Sequence, residues 1–270
     1  DEKQRIDGFE TITYTNNSPD QLDYLWLQLD QNLFDEQSDT KLIEIEHMEN
    51  FKSVGDLRKR DFKYDGGFKI EQITNTSGQA MKYFINKTML RIDLAKPLMP
   101  GQNISFQVKW WYNINDRMQV GGRSGYEYFD IDQNYLYTIA QFFPRMCVYN
   151  DVTGWQNKQF LGRGEFTLPF GDYIVNITVP ADHIVGATGE CQNYATVLTA
   201  EQRKRYEMAK KSDSPVLIIT QQEAEAAEKE HAQKTKTWTY KATNVRDFAF
   251  ASSRKFIWDA QKQTVGNKDI

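Results

Sequence analysis

The sequence predicts a mainly β protein, an antiparallel β-sandwich or saddle-like sheet stack that carries one mostly helical insertion near residues 199–235. Three observations predict it. Apolar and aromatic residues alternate with polar ones over many short segments, the period-two pattern that sends successive side chains to opposite faces of a sheet. Clusters of Gly, Pro, Asn and Asp separate those segments, as turns require. Aromatic residues make up 13% of the 270 residues, enough large rings to build a sheet protein's core.

Phe9–Thr15 opens the pattern, and Asn17-Ser18-Pro19-Asp20 turns the chain. Next, Leu25, Leu27 and Leu29 alternate with Tyr24 and Trp26, so this strand has apolar residues on both faces and is expected to be covered on both sides. Asp65-Gly66-Gly67 leads into Phe68–Ile73, and Met81–Ile85 and Met89–Leu94 follow. After Pro100-Gly101, Phe106, Val108, Trp110 and Tyr112 alternate with Ser105, Gln107, Lys109 and Trp111. Tyr135–Phe143 reads as a further strand. Beyond Phe170-Gly171-Asp172, Tyr173, Val175, Ile177 and Val179 share one face. From Thr199 the pattern turns helical. Thr199 with Gln202, and Thr220 with Glu223, each have the spacing of a capping box, where side chain and backbone satisfy each other across the first turn. The first helix is predicted through Met208, stopping near Ser212–Pro215, and the second runs to about Lys234, with Val216–Ile219 as a strand between them. The Ala/Glu/Lys run has little apolar surface on any face and is expected on the outside. Lys236–Ala242 and Phe248–Ser253 return to strand patterning.

Charge excludes one class of partner. Thirty-three basic against 37 acidic residues give a net charge of −4, without the dense basic field that displaces counterions from nucleic acid. The cluster Arg203, Lys204, Arg205, Lys210 and Lys211 is interrupted by Glu201 and Glu207 and reads as a solvated helix face. No apolar run approaches the roughly 20 residues of a membrane helix. The opening stretch to Glu10 has neither the basic start nor the apolar segment of a signal peptide, although a processed export signal is compatible with it. Cys147 and Cys191 are too few for a zinc ribbon. Each is expected to be a small buried apolar residue, with pairing or metal binding left open.

Motifs that carry chemistry are missing. His47, His183 and His231 form no His-x-x-x-His pair and no His-Glu-x-x-His motif, so each reads as an ordinary surface or core histidine. There is no Gly-x-Ser-x-Gly elbow and no Gly-x-x-x-x-Gly-Lys phosphate loop. Gly121-Gly122-Arg123-Ser124-Gly125 lacks the lysine and following helix of a phosphate cradle, and reads as a loop needing positive φ. On these residues alone the chain is not an enzyme. Trp110-Trp111-Tyr112 with Tyr126, Tyr128 and Tyr135 leave open a carbohydrate- or protein-binding β-sandwich module without activity, while the same alternation also reads as core.

Several segments carry a family resemblance. Ile6–Asp20, with Tyr14-Thr15-Asn16 running through Ser18-Pro19 into Leu22–Leu27, resembles the N-terminal domain of M1-family (gluzincin) zinc aminopeptidases. Tyr137–Asp151 resembles that domain's substrate-facing segment, and Phe166–Tyr173, Ile177–Pro180 and Gly186–Gly189 resemble the strands that follow it. Val245–Ser253 resembles the domain's end. The resemblance implies an N-terminal β domain over 1–253, with 199–235 as an insertion and 254–270 as the start of a linker or next domain. The catalytic domain would lie beyond. It implies a parent enzyme that releases N-terminal residues from peptides, with zinc held in that missing domain and no metal or other cofactor here. The implied partners are the chain's own C-terminal catalytic domain and the N-terminus of a peptide substrate, with no nucleic acid and no transmembrane segment. An extracytoplasmic or periplasmic site is favoured over the cytoplasm. No catalytic residue is implied in this stretch. Gln141 is the position onto which the family's amine-binding residue carries over, since an amide oxygen accepts from an ammonium without adding charge. Many members place a second amide or a carboxylate two residues on, whereas this chain reads Gln141-Phe142-Phe143, leaving Gln141 as the only acceptor. A turn-capping or interface amide is the other reading. Phe142, Phe143, Pro144 and Arg145 would shape the cleft wall or a domain interface, and Asp151 and Trp155 read as structural.

Overall fold

Period-two segments become hydrogen-bonded strands, and every assigned strand pair is antiparallel. The computed structural model describes residues 3–40, 64–162, 164 and 166–269, so His47 lies outside the described residues. The chain divides into two compact units, one from Glu2–Gly125 and Gln141–Phe170, the other from Tyr126–Ala140 and Gly171–Ile270.

In the first unit, β1 (Arg5–Thr15) pairs with β6 (Asn103–Asn113) without a slip from Arg5↔Asn113 to Thr15↔Asn103. β3 (Lys69–Asn75) flanks β6 on its other side. The predicted inner face of β6 is the observed one, with Phe106, Val108, Trp110 and Tyr112 all buried. Each such side chain taken out of water contributes roughly 1.5–3 kcal/mol. Gly8 stands opposite Trp110, and a Cβ there would lie 2.2 Å from the indole ring, so the glycine makes room for the tryptophan. A second sheet runs β4 (Tyr83–Asn86), β5 (Met89–Leu98), β2 (Leu22–Gln28) and then Arg145–Met146. Leu25, Trp26, Leu27 and Gln28 are buried in succession, which is the two-sided cover expected for β2. Cys147 is buried and unpaired, and burial pushes its thiol up to about 12, which makes it inert.

In the second unit, β7 (Gly125–Phe129) and β8 (Asn134–Ile139) extend a sheet with Phe250–Ser253 and Ile184–Ala187. Gly171–Pro180 pairs with Thr235–Val245, whose Trp238, Tyr240 and Ala242 point inward. The helical excursion is present. Both capping boxes form, and they start helices at Ala200–Ala209 and Gln221–Glu230. The second helix ends about four residues earlier than predicted, because His231 turns left-handed at φ 45 and stops it. Val216–Ile219 is a strand as expected, and it pairs with Trp258–Ala260, so chain beyond Ser253 is built into this unit. Arg203, Lys204, Lys210 and Lys211 are exposed, as a solvated helix face requires, and Arg205 is the exception. It donates to Glu223 at 2.5 Å from the neighbouring helix, and that guanidinium holds the Glu223 carboxyl down to about 2. At the unit's centre Arg254 pairs with Asp182 at 3.0 Å, both side chains 2% exposed, and donates to Asn134 Oδ1. The Asp182 carboxylate also accepts from Ala232 N at the end of the insertion. Cys191 is buried and unpaired. Among the described residues no helix is long and apolar enough to cross a membrane.

Candidate functional site

The predicted Tyr135–Phe143 strand ends at Ile139, and the reason is Gln141. Its backbone adopts φ 53, a left-handed conformation that costs a residue with a Cβ roughly 1–2 kcal/mol. Lys87 and Gln133 also have positive φ and, like Gln141, lie in short connections between consecutive strands, and His231 ends a helix. Two anchors in the first unit hold its segment.

The first anchor is Gln31. It lies in the 3-10 turn Asp30–Phe34 that follows β2, where Asp30, Gln31 and Asn32 are all buried. Gln31 Nε2 donates to the Gln141 carbonyl at 3.0 Å. A neutral hydrogen bond contributes about 0.5–1.5 kcal/mol net, which is the size needed to offset most of the left-handed backbone cost. The second anchor lies four residues on. Arg145 pairs with Gln28 across the edge of β2. Its guanidinium donates from Nε to Asp30 Oδ2 at 3.0 Å and from Nη2 to Asp30 Oδ1 at 2.7 Å. Gln28 Nε2 completes the Asp30 carboxylate at 2.5 Å. The two charged side chains are 6% and 1% exposed, so this fork is a buried pair whose desolvation is met by geometry and extra donors.

Between the anchors the chain is apolar. Phe142 is buried, its ring 6.4 Å from Trp110 and 5.0 Å from Phe143. Pro144 biases Phe143 toward extended backbone. The structure thus brings Gln141, Phe142, Phe143 and Arg145 into one segment, with different surroundings. Arg145 is committed to Asp30, and Phe142 sits in the unit's core. Gln141 is partly exposed, and among the described residues its side-chain amide has no hydrogen-bond partner, although its carbonyl is held. That arrangement can present one uncharged acceptor and two donors to a polar ligand.

Sequence reasoning missed the support, namely Gln28, Asp30, Gln31 and Asn32. Asp and Asn are turn formers, so a polar triplet after a strand reads as an exposed turn. Its one distinguishing signal is that it follows a strand apolar on both faces.

The remaining candidates fall elsewhere. Trp110 and Tyr112 are core residues at 3% and 0% exposure, which removes them as sugar platforms, while Arg5 covers Trp111 at 4.3 Å. Tyr135 packs against Tyr128 and Tyr126 in the second unit, with ring centroids 4.8 and 5.5 Å away. His183 is buried, with Nδ1 2.9 Å from Ser252 Oγ, and desolvation lowers it to about 3, so it is a neutral core histidine. His231 is exposed. Gly121, Gly122 and Gly125 all have positive φ, as that loop was expected to need. Among the described residues no three His, Cys, Asp or Glu side chains gather closely enough to hold a metal ion.

Comparison with known proteins gives a structural likeness and no sequence match. No family model matches the sequence, and no curated protein matches it. Among solved structures, the M1 zinc metallopeptidase from Deinococcus radiodurans aligns over 90% of this chain and 37% of its own, at 11% identity and TM-score 0.42. A mutant of that enzyme bound to a Tyr-Ser-Ala substrate aligns over 97% and 41%, at 11% identity and TM-score 0.44. A mutant two-domain M1 zinc metallopeptidase bound to L-tryptophan aligns over 99% and 43%, at 10% identity and TM-score 0.46. The chain therefore spans about two fifths of the length of these structures. At such identities and scores the likeness bears on neither mechanism nor substrate.

Proposed function

We propose that this chain is the non-catalytic N-terminal β domain of a zinc-dependent aminopeptidase, and that it forms part of the cleft wall and helps to hold the substrate's free α-amino group. The observation that carries the reading is Gln141. Its backbone is fixed in a costly conformation, its carbonyl is engaged, and its side-chain amide is left without a partner among the described residues. An amide oxygen accepts from an ammonium and leaves the local charge unchanged. Phe142, Phe143 and Pro144 keep the segment's base apolar, and Arg145 with Asp30 fixes its far end. Zinc, which would polarise the scissile carbonyl and activate water, belongs in this reading to the C-terminal catalytic domain.

The test is a calorimetric titration of the chain with a short peptide bearing a free N-terminus and with its N-acetylated form. A hydrogen bond to a charged group contributes about 1.5–3 kcal/mol, so the free amine should bind at least about tenfold more tightly. Gln141→Ala should erase that preference. Equal affinity for the two peptides would overturn the reading.

A further inference from the structure

We infer that Gln31 is a positioning residue, whose side-chain amide holds the Gln141 backbone left-handed and so aims the Gln141 side chain. The inference rests on the amine-recognition reading of Gln141 for its functional part, and on geometry for the rest. Gln31 is 2% exposed. Its Nε2 donates to the Gln141 carbonyl at 3.0 Å, while its Oε1 is buried with no partner among the described residues. An amide satisfied at one end and orphaned at the other is a poor choice for stability, because the orphaned oxygen carries its full desolvation cost. Methionine would fill the same space without that cost. What glutamine adds over methionine is the single hydrogen bond to residue 141. The neighbours fix where that bond is made: Asp30 is held by Arg145 and Gln28, and Asn32 donates to Lys87 O at 2.7 Å and accepts from Phe68 N at 2.7 Å. Gln31 therefore projects from a turn clamped on both sides.

The signature of positioning differs from that of a structural contact. Gln31→Met should leave the melting temperature unchanged or raise it, while changing the three-bond HN–Hα coupling of selectively ¹⁵N-labelled Gln141 away from its left-handed value. It should also weaken binding of the free-amine peptide about fivefold, the loss of one net hydrogen bond. A Gln31→Met protein that keeps both the coupling and the affinity overturns the inference. If Gln141→Ala binds both peptides as the wild type does, the amine reading fails by itself, and the coupling in Gln31→Met still decides whether Gln31 sets the backbone. Should Gln31→Met fail to fold, the wild-type protein decides the matter by hydrogen exchange. One Gln31 side-chain amide proton protected from solvent supports the bond, and two protons exchanging at the free-amide rate overturn it.

Discussion

Replacing Glu10 by glutamine should change how stability depends on pH, because the fold holds one proton that the unfolded chain releases. Glu10 lies on β1 opposite Val108, on the same side of the strand as Gly8 and Ile12. The residue is only half-buried, but its Oε1 is enclosed with no partner among the described residues. Burial alone raises its pKa well above the ordinary 4.5. In the unfolded chain a glutamate ionises near ~4.3. Between that point and its raised folded pKa, the native state binds one more proton than the unfolded state, so stability falls as pH rises, by about 1.4 kcal/mol per pH unit. The Glu10 contribution is complete below the unfolded pKa and is lost as pH climbs toward the folded one. His183 acts with the opposite sign. It is held neutral down to about 3, while an unfolded histidine takes up its proton below ~6.5, so its contribution makes stability rise with pH between those values. Glu10→Gln keeps size and loses the ionisation, and subtracting its curve from the wild type removes His183 and every other shared group. Urea unfolding at half-unit steps from pH 4 to 8 should show the variant gaining on the wild type by about 1.4 kcal/mol per pH unit through the Glu10 window. A difference that stays flat with pH would show that the carboxyl is solvated in the folded protein and refute the reasoning.

Three further outcomes are expected. Gly8→Ala, whose Cβ would approach the Trp110 ring to 2.2 Å, should cost about 1–3 kcal/mol by overpacking, read as a lower urea midpoint with an altered near-ultraviolet signal. Arg145→Met leaves Asp30 buried without its guanidinium and should destabilise by about 3–5 kcal/mol. The double variant with Asp30→Leu should recover most of that loss, and a double-mutant cycle that shows no coupling would contradict the buried fork. Thr220→Ala removes the cap that accepts from Glu223 N and should cost about 1 kcal/mol, measurable as faster amide exchange across Gln221–Glu230 with little effect elsewhere.

Local rules made much of this fold legible. The alternation of Phe106, Val108, Trp110 and Tyr112 located the inner face of β6, and the spacings Thr199/Gln202 and Thr220/Glu223 located two helix starts to the residue. Long-range choices were not legible. Tyr126–Ala140 joins the second unit although the chain on both sides of it belongs to the first, and no short window of sequence encodes which distant strand a hairpin will pair with. Buried polar groups were hidden for another reason. Glu10 shares the register of Ile6, Ile12 and Tyr14 and only its charge reads as solvent-facing, while Asp30 and Asn32 are turn formers on either side of Gln31, so residue type reports neither group as interior.

The failure at residues 135–143 is the most informative of these. Most residues from Tyr135 to Phe143 are aromatic or β-branched and suit a strand, and the strand nonetheless stops at Ile139. Propensity was overridden at one position, by a backbone that glutamine adopts at a cost and that a buried amide from Gln31 helps to hold. Glycine would adopt the same φ without that cost, so a stability argument favours glycine at 141 and methionine at 31. The chain has glutamine at both. Each departs from the cheaper residue, and the two departures meet at one hydrogen bond. The only property that glycine and methionine lack together is a correctly aimed amide side chain at 141. Gln141→Gly should therefore fold at least as stably as the wild type while losing the preference for a free amine, and a Gln141→Gly protein that is clearly less stable would place the reason for the glutamine in packing instead.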